Sequence, residues 1–309
     1  MSPLDMITVI GAGRVGSAAA FEILRYKIDD VVLIDTNANQ AKGEALDMMQ
    51  ASPAIEFDGN IEGTSDFSQM KDSELIIITA GVARKPGMSR IDLMTTNAQI
   101  MRSIAKEIIK YASDAKLLIV TNPVDIMTYI CFKETNLPRN HVFGMGNILD
   151  TMRFRSYIAQ ELGVSREDTR ALVIGEHGDS MVPLVEYATV SGIPITNLLT
   201  TQQIEQVLQK TINSGSNVIK LKGGTQFAPS TVIALMADAI ITGRNRVMSV
   251  STWLQGEYGY SNLTIGVPVV LGKNGIEKII DLQLSTPSQE KFEKSINTIK
   301  TAINHLNNN

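Results

Sequence analysis

An α/β fold, with a doubly wound parallel sheet followed by an α+β unit, is predicted by three features of the sequence. Strand-sized apolar runs at 6–10, 31–34, 75–80, 116–120 and 141–144 alternate with longer segments whose apolar residues recur every three or four positions. Several runs are apolar throughout, as strands buried on both faces are. Beyond residue 145 the texture changes to helices and then to short β-rich runs broken by Gly256, Gly259, Gly266 and Gly272. A chain of 309 residues is long enough for two core-forming domains. We set them at 1–145 and 146–309.

The first run, Met6-Ile-Thr-Val-Ile10, breaks into Gly11, Gly13 and Gly16, which reads as strand, tight turn and helix. In such a unit Gly11 supplies the turn's backbone angles, Gly13 lets a pyrophosphate approach, and Gly16 lets helix and strand pack closely. Ala12, Arg14 and Val15 complete the loop, and the N–H groups and partial positive charge of the helix start favour an anion. The second run ends in Asp35, nineteen residues past Gly16, where an acid meets a ribose 2′-hydroxyl. The expected ligand is a dinucleotide.

A crossover helix at 39–50 is ended by Ser52-Pro53, and a short strand follows at 61–64. After the strand at 75–80 comes a loop, 81–90, with Arg84, Lys85 and Arg90 as its three cations, and then a long amphipathic helix, 91–112, bearing Asn97 near its start. The strand at 116–120 stops at Thr121-Asn-Pro-Val-Asp125, and the carboxyl ends of such strands are where open parallel sheets bind ligands. A helix to about residue 134 and a strand at 141–144 complete the first half. In the second, a helix at 149–162 is closed by Gly163, a strand at 171–175 runs into Glu176-His-Gly-Asp179, and helices follow at 202–219 and 229–241. A meander at 246–282 leads to a closing helix that begins with the capping box Thr286-Pro-Ser-Gln289 and carries Phe292, Ile296, Ile299 and Ile303.

Composition excludes several classes. With 44% hydrophobic and 19% charged residues the chain is globular, and no apolar run reaches membrane-span length. The net charge of -4, with no basic stripe, argues against nucleic acid. No secretory signal is visible, and the single cysteine, Cys131, excludes an internal disulfide and suits a reducing cytoplasm. Its apolar neighbours make it a buried structural thiol.

A dinucleotide enzyme that oxidises an alcohol must take a proton from oxygen while a hydride leaves carbon, and histidine is the base near neutrality. Of the three histidines, His305 lies in a terminal turn and His141 begins a strand, whereas His177 stands beside Gly175 and Gly178 with Glu176 and Asp179 disfavouring burial. Asp150 is the candidate carboxylate for its second ring nitrogen. Arg153, three residues on, is the candidate guanidinium for the carboxylate of a 2-hydroxy acid. As the alternative, Asp150 and Arg153 form only a helix-surface ion pair of about 0.3–0.5 kcal/mol. No metal ligand set is assigned.

The segments Ile10-Gly-Ala-Gly-Arg-Val-Gly16, Ala80-Gly-Val-Ala-Arg-Lys-Pro-Gly-Met-Ser-Arg90, Val120-Thr-Asn-Pro-Val-Asp125, Leu149-Asp-Thr-Met-Arg-Phe154 and Gly175-Glu-His-Gly-Asp-Ser180 together resemble the lactate/malate dehydrogenase superfamily. Within it the chain looks most like the malate dehydrogenases built like lactate dehydrogenases. The resemblance runs from the first strand to the last helix. It implies a Rossmann domain that binds NAD, with Asn97 and Val120 lining the cofactor and Gly11 to Gly16 and Asp35 holding it. It implies His177 as proton donor and acceptor, oriented by Asp150, and Arg153 on the substrate's 1-carboxylate. Arg90 polarises the carbonyl being reduced, and Asn122 hydrogen-bonds the substrate oxygen. Many relatives have a cis peptide before the proline matching Pro123. Arg84 stands where lactate-specific relatives carry glutamine, and so would select a second carboxylate. The implied activity is reversible hydride transfer between malate and oxaloacetate, with lactate or another 2-hydroxy acid as the alternative substrate. A homotetramer, or else a dimer, working in the cytoplasm and the tricarboxylic acid cycle completes the expectation. A catalytically idle dinucleotide-binding protein would keep the glycines and Asp35 but has no need of His177, Asp150, Arg153 and Arg90 together. Thr225, Gln226 and Phe227 receive no site assignment.

Overall fold

The structure, a computed structural model, describes residues 6–83 and 89–307, with the side chains of Arg90 and Asn307 outside the description. Arg84 therefore lies outside the described residues, as do Lys85, Pro86 and Gly87. The chain divides into two compact units, each discontinuous in sequence.

The first unit holds six parallel strands: β1 (Met6–Ile10), β2 (Asp30–Ile34), β3 (Ile61–Thr64), β4 (Leu75–Ile78), β5 (Lys116–Ile119) and β6 (Val142–Gly144). Their order is β6-β5-β4-β1-β2-β3, with Ile10 beside Ile34 on one edge of β1 and beside Ile78 on the other. β-Branched residues dominate β2 and β4 and suit a pleated surface covered on both faces. Every residue of β4 is buried. The strand order reverses between β1 and β4, so the loop leaving β1 stands at the position where doubly wound sheets bind ligands.

The helices of this unit are α1 (Arg14–Arg25), α2 (Ala38–Ile55), α3 (Arg90–Tyr111) and α4 (Val124–Thr135). α2 corrects an expectation, because it runs through Pro53 to Ile55. A proline forfeits one helical hydrogen bond, and within the last turn that loss is small: Glu56 closes the helix in the left-handed region at φ 53° and donates its N–H to Ser52 O. α3 begins one residue before the expected start because Ser89 caps it, its hydroxyl accepting from Asp92 N at 3.0 Å while Asp92 accepts from Ser89 N at 3.1 Å.

The second unit opens with α5 (Ile148–Leu162), ended by Gly163 at φ 67°. Five two-residue strands follow: β7 (Thr169–Arg170), β8 (Val173–Ile174), β9 (Val182–Pro183), β10 (Thr189–Val190) and β11 (Ile193–Pro194), with β8 antiparallel to β9. α6 (Thr201–Lys222) packs against α5, and Phe154, Ile158, Val173, Ile195 and Val207 form the buried core between these segments.

Part of the later chain packs with the first unit. Helix α7 (Phe227–Ile241) packs on α1, and Gln226–Arg246 and Val270–Lys278 join the first unit. α7 buries residues almost all round, among them Val232, Ile233, Met236 and Ile240, so it needs cover on every side. The meander is β12 (Arg246–Gln255), β13 (Ser261–Gly272) and β14 (Gly275–Ile279). The closing helix α8 (Thr286–Asn307) buries Phe292, Ile296, Ile299 and Ile303 as expected. Its expected capping box does not form. Thr286 is already helical, Ser285 gives its N–H and hydroxyl to Glu186, and Gln289 turns to Glu293. Among the described residues no helix is long and apolar enough to cross a membrane.

Candidate active site

In the first unit Gly11 and Gly16 have the turn geometry and close packing that their spacing predicts. Gly11 has φ 110°, and a Cβ there would lie 2.7 Å from Thr79 Oγ1 and 2.8 Å from Ala80 N, so only glycine fits. A Cβ on Gly16 would stand 1.8 Å from Gly11 O, which is what lets α1 start against the end of β1. Gly13 is exposed, with open space where a Cβ would be. It is the N-cap of α1 with no side-chain cap bond and no acid in the first turn. Bare backbone at a helix start, with no acid in its first turn, fits a pyrophosphate.

Asp35 follows β2 and faces this loop. One carboxylate oxygen accepts from Ala12 N at 2.7 Å and the other from Asn37 N at 2.9 Å. The oxygen that accepts from Ala12 N keeps a lone pair for a ribose hydroxyl, while the other also takes the Thr36 hydroxyl at 3.5 Å. The residues present therefore fit NAD. Asn97 is buried and fastens two loops: its oxygen accepts from Val82 N at 2.8 Å, and its amide nitrogen donates to Val82 O at 3.2 Å and Asn122 O at 2.7 Å. With both N–H bonds spent on backbone, it holds the loops after β4 and β5 together. Val120 is buried and donates to Ile78 O at 2.9 Å. Asn122 is exposed, and its bond to Pro123 is cis.

In the second unit the structure brings Asp150, Arg153 and His177 together. Asp150 is fully buried in the first turn of α5. One oxygen meets His177 Nδ1 at 2.6 Å and the other accepts from Arg153 Nη1 at 2.8 Å. The ion pair of Asp150 and Arg153 therefore exists, but it is not the helix-surface pair of the alternative reading, because Asp150 is buried and also holds the histidine. Burial pushes the Asp150 carboxyl up, and the His177 imidazole and Arg153 guanidinium overcome that and hold it below the usual carboxylate range. Arg153 spends one nitrogen on Asp150, and its remaining N–H groups have no partner among the described residues. Gly215 of α6 presents bare backbone to the guanidinium, and a Cβ on Gly215 would stand 3.5 Å from Arg153 Nη1.

The His177 segment is less exposed than its acids suggest. Gly175, at φ 93°, exchanges hydrogen bonds with Gly266 at 2.8 and 3.1 Å. Glu176 N donates to Ser295 Oγ at 2.5 Å, and the Glu176 carboxylate turns back to accept from the Ser180 hydroxyl. Ser295, fully buried on α8, has no sequence signal that marks it as a support for this loop. Arg90 opens α3, but its side chain, like the whole of Arg84, lies outside the described residues.

The family models agree with this two-part construction. The lactate/malate dehydrogenase NAD-binding domain matches residues 6–144, and the lactate/malate dehydrogenase alpha/beta C-terminal domain matches 148–309. A malate dehydrogenase from Geobacillus sp. (strain WCH70) is 44% identical over 304 residues, covering 97% of each chain. The malate dehydrogenase of Picrophilus torridus superposes with a TM-score of 0.94 at 40% identity, covering 96% of each chain. A lactate dehydrogenase from Cryptosporidium parvum, solved with lactic acid and the cofactor, superposes with a TM-score of 0.96 at 34% identity over the full length of both chains. A glycine loop that fits NAD, a histidine paired with a buried aspartate, and two matched domains over almost the whole chain place this chain in the lactate/malate dehydrogenase family.

Proposed function

We propose that the chain interconverts malate and oxaloacetate, using NAD, with His177 as acid and base. The observation that carries this is the 2.6 Å contact between His177 Nδ1 and a buried Asp150 whose other oxygen holds Arg153. With Nδ1 committed to Asp150, the proton in transit is carried on Nε2. When bound, NAD supplies the hydride acceptor. As hydride leaves C2 of malate, Nε2 takes the hydroxyl proton, and Asp150 stabilises the imidazolium that forms. In the reverse direction the imidazolium gives that proton to the oxygen of the carbonyl being reduced. Arg153 binds the 1-carboxylate through its remaining N–H groups, Arg90 polarises the carbonyl, and Asn122 hydrogen-bonds the same oxygen. Asp35 and the Gly11 to Gly16 loop hold the cofactor.

Fold likeness does not choose between malate and lactate, since a lactate dehydrogenase superposes as well as a malate dehydrogenase does. Residue chemistry chooses. Arg84 offers paired, charge-assisted hydrogen bonds to the second carboxylate of oxaloacetate, whereas the methyl of pyruvate leaves a desolvated cation unsatisfied. Bonds to a charged group contribute about 1.5–3 kcal/mol and an unpaired partner costs a similar amount, so discrimination is roughly a hundredfold or more. Arg84→Gln should lower kcat/KM for oxaloacetate far more than for pyruvate. An unchanged ratio would sink the malate assignment and leave a 2-hydroxy-acid dehydrogenase.

A homotetramer acting in the cytoplasm and the tricarboxylic acid cycle belongs to the same proposal. Exposed apolar side chains on helices, Leu46 and Met49 of α2 and Ile219 and Leu221 of α6, support assembly. Sedimentation at micromolar concentration tests it, and a 33.7 kDa monomer would contradict it.

A further inference from the structure

Asn147 precedes α5 and takes its N-cap position at φ -87° and ψ 6°. An asparagine there ordinarily accepts a hydrogen bond from an N–H two or three residues on, and Asn147 makes no such bond. Its fully buried side chain instead aims the amide nitrogen at two acceptors, Asp150 Oδ2 at 3.3 Å and the Glu176 carbonyl at 3.3 Å. Asp150 Oδ2 is the oxygen that meets His177 Nδ1, and Glu176 is the residue before His177. One amide group therefore grips the aspartate by its carboxylate and the histidine by its backbone.

The neighbours fix which way the amide points. Turned over, its oxygen would face a carboxylate and a carbonyl, two acceptors with no hydrogen between them. The side chain fits because residue 266 is glycine: a Cβ on Gly266 would stand 1.7 Å from Asn147 Oδ1. That oxygen is buried with no hydrogen-bond partner. A smaller residue would avoid this cost, so the amide nitrogen earns the position by what it holds.

We propose that Asn147 is a positioning residue for proton transfer, fixing the Asp150 carboxylate and the His177 backbone in one relation. This rests on His177 being the acid and base. Among the described residues, the charged groups beside the pair in contact or in sequence are Arg153 on the other carboxylate oxygen, Glu176, whose carboxylate turns to Ser180, and the exposed Asp179. Without the amide donor, Oδ2 is left to His177 alone. The carboxylate becomes a stronger acceptor for the imidazolium, the imidazole holds its proton to higher pH, and the ring is less firmly placed.

The test compares kcat and KM for oxaloacetate reduction across pH in the parent and in Asn147→Ala. Reduction requires protonated His177, so its rate falls as pH rises through the apparent pKa. In the variant that falling limb should move up by about half a pH unit or more, kcat should drop about tenfold, and NADH affinity should stay at the parent value. If Asn147→Ala does not fold, Asn147→Gly takes its place with the same expected result, since glycine is nearly as good a helix cap. A limb that superimposes on the parent's overturns the proposal, because a merely structural loss reduces the folded fraction without moving the limb. A parent that does not oxidise NADH with oxaloacetate overturns the functional reading and this inference together, whereas an active parent with an unshifted variant overturns this inference alone.

Discussion

Replacing Asp150 by asparagine changes one charge while keeping the side-chain shape, and its effect can be worked from the contacts. In the parent the carboxylate lies 2.6 Å from His177 Nδ1, which puts the charge centres about 4 Å apart. At an effective dielectric of about 20 the attraction on an imidazolium is about 4 kcal/mol. Since about 1.4 kcal/mol is a factor of ten in rate, losing it slows proton transfer by about a thousandfold. The asparagine amide adds a second fault by donating to Nδ1, which leaves the proton of a neutral ring on Nε2, where malate oxidation needs an acceptor. Following NADH absorbance, kcat/KM for malate and for oxaloacetate should both fall by about three orders of magnitude, with NADH binding retained. A loss of less than about fivefold would refute the role given to Asp150. The same carboxyl is held down in the folded state, so the unfolded chain binds its proton more tightly. Its stabilising contribution is complete above the unfolded value of about 3.9 and is lost as pH falls through the lower folded value. The stability gap between parent and Asp150→Asn should therefore be widest at neutral pH and close below about pH 4.

Two further outcomes follow from the first unit. Asp35→Ser removes the carboxylate that repels a 2′-phosphate and also the acceptor for Ala12 N, so it should narrow the preference for NAD over NADP and weaken NAD binding; an unchanged ratio of catalytic efficiencies would remove Asp35 from cofactor selection. Cys131, the single cysteine, is buried in α4 and burial pushes its thiol up to about 12, so a thiol reagent at neutral pH should leave the native chain unmodified and label it one-to-one after unfolding. Rapid labelling of native protein would contradict the packing of α4.

Local chemistry makes the first unit legible in the sequence. The glycine loop and Asp35 lie close in the chain, and each glycine's task follows from backbone geometry that spacing encodes, as Gly11 at φ 110° and the crowded Gly16 bear out. Tertiary choices are less legible. Pro53 signals an end to α2, yet the helix outlasts it because its cap lies at Glu56. Thr286 to Gln289 matches a capping box, yet Glu186, about a hundred residues upstream, takes Ser285 and the helix starts at Thr286. Ser89-Arg-Ile-Asp92 is a local cap signal that the expectation of a loop as far as Arg90 hides. Asp150 and His177 each stand out by residue type, but a contact across 27 positions is visible only once β8 brings the loop beside α5. Nothing in the sequence separates Asn147 from an ordinary helix cap or marks Ser295 as a support.

Substrate choice is the central claim, and the relative kcat/KM of the unmodified chain for oxaloacetate and pyruvate, measured with NADH under one set of conditions, tests it most directly. With Arg84 meeting the second carboxylate, the ratio should favour oxaloacetate by about a hundredfold or more. Equal efficiencies, or a preference for pyruvate, would contradict the account.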